Sequence, residues 1–213
     1  MNDGSYERYL RETVAAYDAG AERYANEVAD FSRFGRLEAC LNEFGERSGL
    51  AKPVLDAGSG SGRDCVHLSK RDHHVIGIDM SERLLLESRK ASILAQVDIT
   101  LIRADLRSIP LHDSSVSGVW CSGVLLHLGE TDVLRCLHEF TRVSVPRAPT
   151  AISIRQIESE GWRVGASLEG RRWYSAVSPD TVVSSMKSSG YQEIETREVG
   201  RPGWHVCIGL TGD

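Results

Sequence analysis

The chain has 213 residues, 41% of them hydrophobic and 26% charged, with a formal net charge of −5 at pH 7. That length buries one sizeable core, so one domain with a small appendage is expected. The acidic balance and the lack of any long Lys/Arg run argue against non-specific attraction to nucleic acid or an anionic membrane, which scales with cationic contacts.

The beginning, MNDGSYERYL, is acidic and polar and lacks an apolar signal core, and no apolar run reaches membrane-spanning length. Five scattered cysteines without a C-x-x-C read as reduced thiols. A soluble cytoplasmic protein is the expectation. The first fifty residues read as helix: Val14, Tyr17, Ala21, Tyr24 and Val28 recur at steps of three and four along one stripe. A second amphipathic piece, RLEACLNEFGERSG, stops at Gly45 or Gly49.

Strand-like runs follow at 52–58, 74–79, 98–105, 116–122 and 150–155, with helix patterns between them at 62–71, 81–95 and 130–143. This alternation implies a parallel sheet with helices on both faces. Residues 156–177 fit neither pattern and read as an insertion. SPDTVVSSMKSSG (178–190) carries helix start and stop signals. Two strands, YQEIETREV and WHVCIGL, flank a Gly-Arg-Pro-Gly turn at 200–203, so the sheet is expected to finish with an antiparallel pair.

The chemistry concentrates in VLDAGSGSGRD (54–64). A strand ending in glycines before a helix brings bare backbone to a ligand, and side chains at Gly58, Gly60 or Gly62 would block that approach. The phosphate-cradling G-x-x-x-x-G-K-[ST] is absent, and Arg63 stands where a G-x-G-x-x-G fingerprint needs its last glycine. Asp56, inside the strand end, suits a cationic amine better than a pyrophosphate. Asp79, 21 residues past Gly58, ends the next strand, where an acid accepts from ribose hydroxyls. Asp105 ends the third and can accept from an adenine amino group. An amine, a ribose and an adenine without phosphate describe the ligand.

In this order VLDAGSGSG, VIGIDMS, RADLRSIPL and VSGVWCSGVLLHL resemble the class I S-adenosylmethionine (SAM)-dependent methyltransferases, over roughly residues 50–210. The resemblance implies a Rossmann-like, seven-stranded, mostly parallel sheet with an antiparallel last strand, and a helical lid over residues 1–49 on a SAM-binding domain of 50–213. It implies that Asp56, Gly58, Ser59 and Gly60 hold the methionine part, and that Asp79 takes the ribose. Met80, Asp105 and Leu106 would hold adenine, and Cys121 and Ser122 would line the sulfonium end. Tyr17 and Tyr24 would cover the cofactor, or simply pack along their helix.

His127 is the candidate base, with packing between leucines as the alternative. Trp162, Arg171, Arg172, Trp173 and Tyr174 in the insertion are candidate substrate contacts for an anionic or planar acceptor, or else a solvated loop. No zinc-ligand spacing occurs, and Arg63 and Asp64 read as helix-dipole or solvated charges. Relatives usually carry Pro-Gly-Gly before strand five. Here Arg147-Ala148 follows Pro146, so changed turn geometry is expected. Methyl transfer to O or N of a small molecule, with S-adenosylhomocysteine (SAH) as the product, is the primary expectation. Methylation of a carboxylate on a modified tRNA uridine, or SAM binding without catalysis, stays open.

Overall fold

The computed structural model describes residues 3–164 and 170–213. Helices α1 (Asp3–Ala19), α2 (Ala21–Glu27) and α3 (Leu37–Ser48) come first. The apolar stripe through Val28 is therefore divided: Gly20, poor in a helix interior, sits at the junction between α1 and α2. Then follow β1 (Val54–Ala57), α4 (Arg63–Ser69), β2 (Val75–Asp79), α5 (Glu82–Ala95), β3 (Ile99–Arg103) and β4 (Gly118–Ser122). After these come α6 (Glu130–Val143), β5 (Pro149–Arg155), β6 (Gly161–Val164), β7 (Arg171–Tyr174), α7 (Pro179–Ser188), β8 (Gln192–Glu198) and β9 (Trp204–Leu210).

Seven strands form one sheet in the order β3-β2-β1-β4-β5-β9-β8. The first five are parallel, and Val54 of β1 pairs with both Val75 of β2 and Gly118 of β4. β9 is antiparallel to both β5 and β8, so only this strand, the last in the chain, runs against the rest. Gly200 and Gly203, both at positive φ, make the turn that feeds β9 into its slot. The strand order reverses between β1 and β4, which opens a crevice at their carboxyl ends.

Strand parity builds two cores. Leu55, Cys121 and Ile152 face α6 and α7, meeting Leu137, Phe140 and Met186. Val54, Trp120 and Ala151 face the other way, toward Phe44 of α3 and Leu68 of α4. Helices thus cover both faces, and each fully buried large side chain contributes about 1.5–3 kcal/mol. The helix signals at residue level behave as expected. Ser81 caps α5 by accepting from Leu84 N–H, and Ser178 caps α7 by accepting from Thr181 N–H. All five cysteines are buried free thiols. No helix among the described residues is long and apolar enough to cross a membrane.

One expectation is corrected. Residues 156–177 are not without strand pattern: β6 and β7 pair as a separate two-stranded antiparallel sheet, while 165–169 of that stretch lie outside the described residues. Four-residue strands such as GWRV and RRWY are too short and too charged to display an apolar alternation. They are held from outside: Trp173 stacks on Tyr9 of α1 with ring centroids 4.0 Å apart, and its backbone N–H donates to Thr13 Oγ1 at 2.9 Å. At the turn before β5, Arg147 adopts φ +61°, the left-handed region that glycine favours, and its guanidinium pairs with Glu193. The arginine carries the strain that a glycine would have avoided.

Candidate active site

The loop after β1 passes through three left-handed glycines, Gly58 (φ +81°), Gly60 (+53°) and Gly62 (+85°). Their reasons differ. A Cβ on Gly58 would lie 2.2 Å from Val124 Cγ2, and one on Gly62 would lie 2.2 Å from Ser88 Oγ of α5. Only at Gly60 is the space open, with nothing nearer than Tyr24 Cε1 at 4.0 Å. Gly62 therefore serves helix packing, while Gly58 and Gly60 form the floor of a cavity.

Asp79, at the end of β2, fixes that floor. Its Oδ2 accepts from Gly60 N–H at 2.9 Å and its Oδ1 from Ser81 N–H at 2.8 Å. Burial pushes its carboxyl above the usual range, opposed by these backbone donors. Asp105, beyond β3, accepts from the Arg107 guanidinium at 2.6 Å. Burial disfavours its charge, but the Arg107 hydrogen bonds outweigh that and hold it below the ordinary value. Arg107 reaches onward to Glu7 of α1 and Asp132 of α6.

The same cavity is lined by Met80, Leu106 and Ser122, and by Tyr17 and Tyr24. One face of α1 roofs it with Leu10, Thr13, Val14 and Tyr17, the i, i+3, i+4, i+7 set of a helix. Asp18 ties that roof down by accepting from Ser81 Oγ at 2.6 Å and Arg83 N–H at 3.1 Å. Val14, Met80 and Asp105 also line a neighbouring outer recess of about 450 Å³.

Three of the expected cofactor residues do not line it. Asp56 lies on the Val54 side of β1, where it accepts from the Cys65 thiol of α4 at 3.1 Å. Burial, then the neighbouring Asp64 carboxylate, pushes it up to about 8. Cys121 points the other way, into the α6 core. Ser59 is buried with an unpartnered Oγ next to Gly77. Cys121 and Ser59 each miss the cavity wall by one residue, beside Ser122 and Gly60, whereas Asp56 lies two residues before Gly58.

A second cavity of about 370 Å³ adjoins the first, and Tyr17, Tyr24, Ser122, Gly123 and His127 line both. His127 sits in the 3-10 turn Leu125–His127. Its Nδ1–H donates to the Trp173 carbonyl at 2.5 Å, so Nε2 accepts from the Tyr17 hydroxyl at 3.1 Å, which in turn accepts from Arg172 Nη1 at 3.2 Å. Burial lowers His127 to about 4, with the nearby Arg172 cation adding to the effect.

This depressed value sets the sign of a pH effect. Between about pH 4 and the ordinary 6.5 the folded state binds fewer protons than the unfolded one, so stability falls as pH drops through that window, by about 3 kcal/mol in full. Asp56, raised to about 8, works in the opposite direction, so the His127 contribution is read by difference. Urea unfolding of the native chain and of His127→Gln at pH 4.5 and 7.5 is expected to show the native chain losing about 2–3 kcal/mol more than the variant on acidification. Parallel profiles would refute the buried neutral imidazole.

Of the five insertion residues, Arg172 and Tyr174 line the second cavity. Arg171, Trp162 and Trp173 do not. Arg171 pairs with Glu12 of α1 at 2.9 Å and covers the Trp162 ring, which in turn packs edge-on to Trp173. Period two along β7 explains the split, Arg172 and Tyr174 facing one side and Arg171 and Trp173 the other. Arg63 and Asp64 are not solvated charges. Arg63 Nε donates to Asp64 at 2.7 Å and Trp120 Nε1 donates to it at 2.8 Å, while the guanidinium lies 4.1 Å from the Phe34 ring. Arg33, Arg155, Arg201 and Trp204, which sequence reasoning missed, also face this cavity. For Arg155, Arg201 and Trp204 the only sequence signal is position, at the end of β5 and around the start of the paired β9, where Arg155 is registered with Trp204; Arg33, between α2 and α3, carries none.

Residues 54–147 match the family model of a methyltransferase domain. The fold is similar to that of 1,6-didemethyltoxoflavin-N1-methyltransferase from Burkholderia thailandensis, solved with 1,6-didemethyltoxoflavin and SAH. The TM-score is 0.75 at 17% identity, over 100% of this chain and 92% of that one. It is also similar to the PH0226 protein of Pyrococcus horikoshii OT3, with a TM-score of 0.71 at 17% identity, over 83% and 88% of the two chains. A SAM-dependent methyltransferase from Mesorhizobium loti matches with a TM-score of 0.64 at 21% identity, over 81% and 96%. No curated protein matches the chain by sequence.

Proposed function

We propose that the chain is a class I SAM-dependent methyltransferase that transfers a methyl group to an oxygen or nitrogen of a small-molecule acceptor, a reading supported by the match of residues 54–147 to the model of a methyltransferase domain. The observation that carries the reading is the pair of joined cavities, one walled by the glycine turn and the strand-end acids, the other by arginine and aromatic side chains. The residues of the first fit SAM chemically. Asp79 keeps carboxylate lone pairs for ribose hydroxyls, Met80 and Leu106 offer apolar flanks to an adenine, and Gly60 leaves room that any Cβ would fill. When bound, SAM supplies a methyl on a positively charged sulfur, which needs an aligned nucleophile and little else.

The chain's own contribution is alignment and exclusion of water. Ser122, Gly123 and Tyr17 stand where the cavities meet and would position the acceptor atom in line. α1, tied down through Asp18 and β7, would close the site. His127, held neutral with its Nε2 already accepting, acts in this reading by orienting Tyr17 rather than by removing a proton. A second cavity of about 370 Å³ beneath a helix suits a small molecule better than a folded macromolecule.

The test has two stages. Calorimetry with the purified chain is expected to show SAH binding with a Kd of roughly micromolar order. Methyl-labelled SAM incubated with a panel of carboxylates, phenols and amines is then expected to give a labelled product. Absence of SAH binding would overturn the reading, while binding with no turnover across the panel would favour a non-catalytic SAM-binding protein.

A further inference from the structure

We infer that the acceptor carries an oxyanion, a carboxylate or a phosphonate/phosphate group, seated among Arg172, Arg155 and Arg201 in the second cavity; this rests on the transferase reading above. Among the described residues, five guanidinium groups face that cavity, against the single carboxylate of Glu27. Two of the five are already matched, Arg63 by Asp64 and Arg33 by Glu27. Arg155, Arg172 and Arg201 have no carboxylate partner among the described residues. Elsewhere Arg107, Arg142, Arg147 and Arg197 each hold one or more acids. In a chain with net charge −5, three unmatched cations lining one cavity, Arg172 buried, Arg201 half-buried and Arg155 at its exposed edge, are not the overflow of a basic surface.

Arg172 is the most telling of the three. It is 9% exposed, its Nη1 donates to the Tyr17 hydroxyl, and its buried Nε–H has no acceptor among the described residues. Its other neighbours are rings, Tyr17 and Tyr174, at 5.4 and 5.6 Å from the guanidinium carbon. Rings favour a cation without neutralising it or satisfying its N–H donors. A buried charge without a counter-ion is costly, and fold stability gives no reason to keep one.

Arg201 is similarly placed over Trp204 at 5.1 Å and Phe34 at 5.6 Å. Burial and then the neighbouring Arg155 and Arg33 cations disfavour its charge. An oxyanion would relieve all three groups at once, since a planar guanidinium fork matches carboxylate and phosphoryl oxygens. The Phe34, Trp204 and Tyr174 rings supply a flat apolar wall beside it.

The experiment uses the full chain saturated with SAH, whose own titration is recorded first. Benzoate, phenylphosphonate and the uncharged benzamide are then titrated calorimetrically. At least one anion is expected to bind about tenfold or more tighter than benzamide and to weaken as salt rises, the tighter of the two identifying the oxyanion type. Arg172→Gln is expected to weaken that anion by about tenfold or more, and Arg155→Gln, at an exposed position, by several-fold. Should Arg172→Gln fail to fold, Arg155→Gln and Arg201→Gln carry the test. Equal binding of benzamide and the anions, no anion binding up to about 10 mM, or unchanged affinity in the folded variants would overturn the inference. With SAH binding intact, any of these outcomes leaves the transferase reading standing; loss of SAH binding would remove both.

Discussion

Asp79→Ala is expected to lower SAH affinity by about two to three orders of magnitude, more than any other single change at the site. Two effects combine. On the proposed reading the carboxylate accepts from two ribose hydroxyls, and hydrogen bonds to a charged group contribute about 1.5–3 kcal/mol each. Asp79 also receives Gly60 N–H and Ser81 N–H, so removing it leaves two donors without their acceptor and frees the glycine turn. Each unsatisfied buried donor costs about 1–3 kcal/mol. Stability should therefore fall together with affinity, by about 2–4 kcal/mol in urea unfolding. Asp79→Asn keeps one acceptor oxygen but turns an NH2 group toward a backbone donor, and should fall between the two. Calorimetry with SAH on the native chain and both variants checks this; an unchanged Kd for Asp79→Ala would remove Asp79 from the cofactor site.

Gly58→Ala is expected to destabilise the fold by about 2–4 kcal/mol, although it adds a single methyl. The left-handed φ of +81° costs a residue with a Cβ about 1–2 kcal/mol. The overlap costs more, since the new Cβ would lie 2.2 Å from Val124 Cγ2 and 3.1 Å from its Cβ. Val124 immediately precedes the turn that carries His127, so the clash is transmitted to the place where the two cavities meet. Val124→Ala in the Gly58→Ala background removes the worst contact but not the backbone strain. Unfolding of both single variants and the double should give a favourable coupling of about 1–2 kcal/mol. Strict additivity would mean that the two residues do not meet as described.

Much of this protein is written locally. The alternation of apolar runs and helix patterns, the Ser81 and Ser178 caps, Gly200 and Gly203, and the acids at successive strand ends are short-range signals. Each segment carries its own period, cap or turn chemistry, so the sheet and most of the cofactor wall could be read from the chain itself.

The rest depended on which way side chains turn and on which distant segments meet. Asp56 and Cys121 sit in the right motifs, yet strand parity directs one beneath α4 and the other into the α6 core. β6 and β7 have too few apolar residues to announce themselves and exist because Trp173 finds Tyr9 and Thr13 on α1. The arginines of the second cavity come from the segment after α2, the start of α4, the end of β5, β7 and the turn before β9. No local rule joins positions so far apart in sequence. Only the closed fold brings their charges to one wall, because antiparallel β9 returns its first residues to the edge where β5 ends.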